Sequence, residues 1–237
     1  MSLEPFRNLI KNETAVYEFV SKEFLLNSGL ILSYFNQHTF NIYFSDRDFR
    51  KIFNEIKFYQ EGIGCFLGLK FLGIKDLERL DSTAVIERIF TRLINEDKRI
   101  FIIGNNFDEK FVEEKIFKQI PNIVGYQNGY FEASKLPEIA EKVKESKAEF
   151  VLLAMGQPKQ EFIAVRLREL LPDLNYYCVG NFFNFYFGIQ KRAPIWIRKL
   201  QLEWFYRFLL EPKRMFKRYI VGIPIFFVRL IKLKIKL

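Results

Sequence analysis

Three features of this 237-residue chain point to an α/β domain built on a parallel sheet. Short β-rich apolar runs alternate with helical patterns from about residue 99 onward, the spacing of βαβ units. In the last of those helical stretches Ile163, Leu167, Leu170 and Leu171 fall at i, i+4, i+7 and i+8, a single stripe for packing on a sheet. No internal repeat, low-complexity linker or Pro/Gly-rich hinge divides the body, so residues 1–190 read as one core. Sheets of this kind bind ligands at the carboxyl ends of their strands.

Gly29 to Phe35 reads as the first strand, 38–55 as a helix, and Lys57-Phe-Tyr59 as a short β-like run. A helix near 84–94 gathers Val85, Ile86, Ile89, Phe90 and Leu93 on one side. The next strands are Arg99 to Gly104, Asn122 to Tyr126, Glu149 to Met155 and Asn175 to Gly180, with helices near 107–119, 134–147 and 158–171 between them. Residues 191–237 differ from this body. Positions 196–219 mix aromatic and basic residues, and Pro212 after Glu211 is well placed to open a helix. Ile220 to Val228 is an apolar run containing Gly222 and Pro224, far short of the roughly 20 residues that span a bilayer. With Arg229, Lys232, Lys234 and Lys236 behind it, the run resembles a segment that lies in a membrane interface, Phe226 and Phe227 entering the lipid. Deleting 220–237 is then expected to leave a folded, more soluble body.

Composition narrows the function. The N-terminus lacks a basic start followed by an apolar stretch, so no signal peptide is expected, and a cytoplasmic protein peripheral on the inner face of the plasma membrane fits. Cys65 and Cys178, the two cysteines, sit in apolar runs and read as reduced, packed thiols. Net charge is +9, yet Lys191 to Leu237 holds 13 Lys or Arg against two acids, +11, which leaves −2 for the first 190 residues. A near-neutral body with a basic tail suits an anionic partner such as phosphate or an anionic membrane. Nucleic acid would suit the charge too, but the apolar run 220–228 argues against it. His38 has no His or Cys partner at ligand spacing and reads as a surface or half-buried imidazole, so neither a metal nor a cofactor is expected. No Gly-x-Gly-x-x-Gly or P-loop occurs.

Three motifs carry chemistry. In Ala154-Met-Gly-Gln-Pro-Lys-Gln-Glu161 a strand ends at a glycine and a helix opens at Gln157-Pro158, which would aim free amides and Lys159 at an anion. Alone, it could equally be an ordinary βα turn. Glu61-Gly-Ile-Gly64 puts a carboxylate at a strand-to-helix glycine turn, either as a helix cap or as general base on a sugar hydroxyl. Lys191-Arg-Ala-Pro194, Leu202-Glu-Trp204 and Glu211-Pro-Lys-Arg214 belong to a stretch in which, if it is helical throughout, Arg207, Arg214 and Arg218 share a face, either a solvated basic surface or a bidentate grip for a diphosphate without metal.

Together with Asn36 in Tyr34-Phe-Asn36, Phe101-Ile-Ile-Gly104, Gly125-Tyr-Gln-Asn-Gly-Tyr-Phe131 and Val179-Gly180, these segments resemble the WecG/TagA/CpsF glycosyltransferase family over about residues 29–219. The resemblance implies a Rossmann-like core with a C-terminal appendage, 191–237, that closes over the site at the membrane. It implies inverting transfer of a hexose or N-acetylmannosamine-type sugar from a UDP-sugar to an undecaprenyl-diphosphate-linked acceptor in cell-surface polysaccharide assembly, and leaves a homo-oligomer open. Carried onto this chain, the base is Glu61. The donor-binding positions are Asn36, Gly62, Thr83, Gly104, Gly156, Gln157, Lys159, Gln160 and Glu161, and Arg207, Arg214 and Arg218 take the diphosphate. Three positions depart from the family: Glu61 stands for its Asp, Ala84 for the acid of Gly-Thr-Asp, and Asn184 for the Asp of Gly-Gly-x-Phe-Asp-Phe. Those exchanges make a binding or assembly protein the alternative to an enzyme.

Overall fold

A computed structural model describes residues 3–236 as one Rossmann-like α/β body. Six strands, β1 (Ile31–Phe35), β2 (Lys57–Gln60), β3 (Ile100–Gly104), β4 (Ile123–Gln127), β5 (Phe150–Ala154) and β6 (Asn175–Cys178), form a parallel sheet in the order β2-β1-β6-β5-β3-β4. Alternating side chains feed two apolar layers, Phe101, Ile103, Val151 and Leu153 on one face, Ile100, Ile102, Phe150 and Leu152 on the other. Both faces are covered, so β3 and β5 are buried throughout and read as unbroken apolar runs.

The helices that matter for the site are α1 (Gln37–Ser45), α2 (Gly62–Phe71), α3 (Ser82–Asn95), α4 (Leu136–Glu145), α5 (Lys159–Leu170), α6 (Glu203–Leu210) and α7 (Gly222–Ile235). The expected single helix over 38–55 is broken at Asp46. Its backbone is extended and its side chain accepts from the amides of Asp48 (2.9 Å) and Phe49 (3.0 Å), capping a new helix, Arg47–Ile52. The first 28 residues, which carry no clear periodicity, contribute Phe6 to an aromatic cluster with Phe35, Phe40 and Phe53.

The C-terminal run departs from the interfacial wedge expected of it. Phe226, Leu230 and Leu233 belong to the main core, with Phe226 2% exposed. Its ring meets Phe40 edge-on at 5.0 Å, and Gly68 of α2 lets α7 come close. Arg229 is also committed inward, its Nη1 donating to the Asn41 side chain at 3.1 Å. Phe226 and Arg229 are therefore unavailable to a lipid surface; Phe227, Val228, Ile231 and Ile235 form the outward stripe. A Cβ on Gly68 would lie 2.6 Å from Phe226 Cζ and 2.9 Å from Leu230 Cδ1. Gly68→Val is accordingly expected to lower stability by about 1–3 kcal/mol, the usual range for overpacking, read as a drop in Tm.

Candidate functional site

Every strand sends the loop after its carboxyl end toward one cleft of about 1330 Å3, roofed by residues 195–227. After β1 comes Asn36, which caps α1. Its Oδ1 accepts from the amides of His38 (2.9 Å) and Thr39 (3.1 Å), while Thr39 Oγ1 accepts from Asn36 N. The amide nitrogen left over, Nδ2, donates to Glu61 Oε2 at 2.8 Å.

Glu61 follows β2 at the start of α2 and makes no side-chain cap to that helix. Its backbone is fixed instead by Glu61 N donating to Phe35 O (2.8 Å), and Gly62 at φ +81° turns the chain away with open space beside it. The carboxylate is thus free to face the cleft. Burial pushes its pKa above the ordinary glutamate value; the Asn36 hydrogen bond, Arg218 and Arg207 pull the other way, and Asp81 adds to the rise. An elevated carboxylate of this kind can take a proton from a hydroxyl near neutral pH. His38, half-buried on the same floor, is held neutral by burial and by Arg218, its pKa down at about 4.

In the turn after β5, expected to aim free amides at an anion, the amides of Gly156 and Gln160 are already used within the protein. The Gly156 amide donates to Gln160 Oε1 (3.2 Å), which also accepts from Gly180 N (3.0 Å). Gln160 and Glu161 are fully buried and lie behind the cleft wall, tying the turn after β5 to that after β6. Glu161 Oε1 collects Ser33 Oγ (2.7 Å), Gln160 Nε2 (2.9 Å) and Gln157 Nε2 (3.2 Å), and burial raises its pKa as well. Gly104 is a packing residue: any Cβ there would meet the Ala154 backbone at 2.5 Å. These three positions shape the wall rather than line it. Gly62, Thr83, Gly156, Gln157 and Lys159 do line it, although Lys159 Nζ already donates to Gly129 O at 2.8 Å.

On the roof, Arg207, Arg214 and Arg218 all reach the cleft even though the helix breaks after α6. Arg207 lies 4.8 Å over the Phe185 ring and pairs with Glu203 at 3.3 Å; Arg214 pairs with Glu211 at 2.5 Å. Arg218 Nε is buried without a partner among the described residues. Arg192 spans the junction, Nη2 donating to Asp81 Oδ1 (2.7 Å) and reaching Glu203 (3.5 Å), so the roof is bolted to the residue that caps α3. Arg79, Arg198, Lys199 and Lys217, which sequence reasoning passed over, also line the cleft, along with Asn105. Among the described residues, Arg192 Nε and Arg198 Nε are likewise buried donors without a partner. Eight Lys or Arg against four acids line the cleft, an excess that favours a polyanionic ligand.

The profile of the glycosyl transferase WecG/TagA/CpsF family covers residues 6–237. The chain belongs to that family. It is a glycosyltransferase. It is 29% identical over 208 residues, 86% of this chain and 80% of the relative, to the N-acetylglucosaminyldiphosphoundecaprenol N-acetyl-beta-D-mannosaminyltransferase of Bacillus subtilis (strain 168). Among the described residues of this glycosyltransferase, no helix is long and apolar enough to cross a membrane.

Proposed function

We propose that this glycosyltransferase moves an N-acetylmannosamine-type sugar from a UDP donor onto a lipid-diphosphate-linked acceptor, with inversion and without a metal. The observation that carries the reading is the placement of Glu61 on the cleft floor opposite Arg207, Arg214 and Arg218. Glu61 takes the proton of the acceptor hydroxyl as its oxygen attacks the sugar carbon. The bond to the UDP oxygen breaks in the same displacement, and the guanidinium groups balance the charge that gathers on the diphosphate. The name of the Bacillus subtilis relative supports the sugar and the lipid-linked acceptor. The outward stripe of α7 and the exposed Trp196 and Leu200 at the cleft roof support docking on an anionic membrane, where such an acceptor resides.

The test is incubation with a panel of UDP-sugars and a short-chain polyprenyl-diphosphate N-acetylglucosamine. The expected product is the lipid heavier by one N-acetylhexosamine; a protein that binds both substrates and forms no product would favour the binding or assembly role that Asn184 and Ala84 motivate. In the same assay EDTA is expected to leave the rate intact. Arg218→Ala is expected to lower kcat/KM by about 10- to 100-fold, the range for losing a hydrogen bond to a charged group. Activity lost in EDTA and restored by Mg²⁺ or Mn²⁺ would overturn the metal-independent reading.

A further inference from the structure

The Gln157 side chain, on the wall of the cleft, is almost fully committed within the protein. Its Nε2 donates to Tyr34 O at 2.7 Å and to Glu161 Oε1 at 3.2 Å, and its Oε1 accepts from Thr39 Oγ1 at 2.7 Å. Both amide hydrogens and one carbonyl lone pair are used, so little is left for a substrate. Its three partners belong to three separate elements, the end of β1, the first turn of α1 and the first turn of α5.

Thr39 has one hydroxyl proton and two acceptors in range, Gln157 Oε1 at 2.7 Å and Asn36 Oδ1 at 3.3 Å. The shorter contact takes it. Asn36 Oδ1 is then filled by two backbone amides, those of His38 and Thr39. Rotating the Asn36 amide by half a turn would set its NH₂ against those two donors, so Nδ2 must point at Glu61. We propose that Gln157 is a positioning residue for the acceptor base: by taking the Thr39 hydroxyl proton it leaves Thr39 Oγ1 to accept from Asn36 N, which completes the cap that holds the Asn36 amide on the Glu61 carboxylate, and it ties the turn after β5 to the base. This rests on the reading of Glu61 as that base. It also makes the donor-side turn and the acceptor-side base parts of one rigid unit.

A donor on a carboxylate favours the charged form, and loosening it leaves burial to dominate. The other groups that act on Glu61 are Arg207 and Arg218 from the roof, Asp81 before α3, Cys65 in α2, Tyr34 on β1 and Tyr59 on β2. None of their side chains bonds to Gln157, so they remain when it is removed.

The experiment is a carbon-13 titration of the glutamate carboxyls in the full-length protein, with the Glu61 signal assigned by its absence in Glu61→Gln. In Gln157→Ala the Glu61 midpoint is expected to move to higher pH by more than the spread between repeat titrations. Thr39→Val is expected to give the same shift, the double variant no further shift, and Thr39→Ser, which keeps the hydroxyl, the wild-type midpoint. The acid limb of kcat against pH should move with the midpoint. Wild-type midpoints in both single variants, or shifts that add in the double, would overturn the inference. If Gln157→Ala does not fold, Gln157→Met keeps the volume and takes its place. Should Glu61→Gln retain turnover, the base reading fails while the titration still decides the hydrogen-bond coupling. Should Glu61→Gln lose turnover with Gln157→Ala titrating as wild type, only this inference fails.

Discussion

Glu61→Gln is expected to cut turnover by about 100-fold or more, equivalent to roughly 2.7 kcal/mol of transition-state stabilisation. The amide is nearly isosteric and can still accept the Asn36 Nδ2 hydrogen bond seen at 2.8 Å, so geometry is preserved while the base is lost. Donor affinity is expected to change little, because the carboxylate serves the acceptor. Stability supplies a control with a defined sign. Burial raises the Glu61 pKa, so the folded state disfavours the charged carboxylate and loses stability as pH rises through the folded-state value. Replacing it by a neutral amide should leave Tm at neutral pH unchanged or higher. The wild-type rate should fall on the acid side through a limb set above the ordinary glutamate range of about 4.3, and Glu61→Gln should lack that limb. Turnover within a few-fold of wild type would place the base elsewhere.

Phe226→Ala is expected to destabilise the protein by about 3–5 kcal/mol, which for a domain of this size lowers Tm by roughly 10 °C. The ring is 2% exposed and lies between Phe40 and Gly68, and its removal leaves a cavity that the close approach of α2 and α7 cannot refill. Deleting 220–237 removes Leu230 and Leu233 as well and uncovers α1 and α2. That truncation is therefore expected to melt lower and aggregate, the reverse of the soluble body that the sequence alone suggests. Phe227→Ala, on the outward stripe, is the comparison; its Tm should stay within a few degrees of wild type. Thermal melts of the two point variants decide the matter.

The parallel sheet was legible because buried strands leave unbroken apolar runs such as Ile100–Gly104 and Phe150–Ala154; of the stripe expected on α5, Ile163 and Leu167 are buried, whereas Leu170 is exposed and Leu171 lies past the helix end, Ala164 and Val165 packing inward instead. Helix breaks were less so. Asp46 interrupts 38–55 through a side-chain cap, and a single Asp in a helical pattern looks the same whether it caps or faces solvent. The two faces of α7 were hidden for another reason. Its inward and outward residues are all large apolar ones, and only Gly68, 158 positions earlier in the chain, marks which face is packed. At the site, Glu61, Asn36 and the three arginines could be named from motif and order. The burial of Gln160 and Glu161 could not, since a polar pair at a helix start reads as ligand-facing until their partners Ser33 and Gly180 are brought beside them. Arg198 and Arg79 were missed because lone arginines in mixed stretches carry no periodic signal.

Acceptor-dependent release of UDP from UDP-N-acetylmannosamine, measured in EDTA with the wild-type protein beside Glu61→Gln, tests the central claim most directly. The expected result is release that requires the lipid-diphosphate N-acetylglucosamine acceptor, persists in the chelator and falls about 100-fold in the variant. Release that ignores the acceptor, or that is equal in the two proteins, would contradict it.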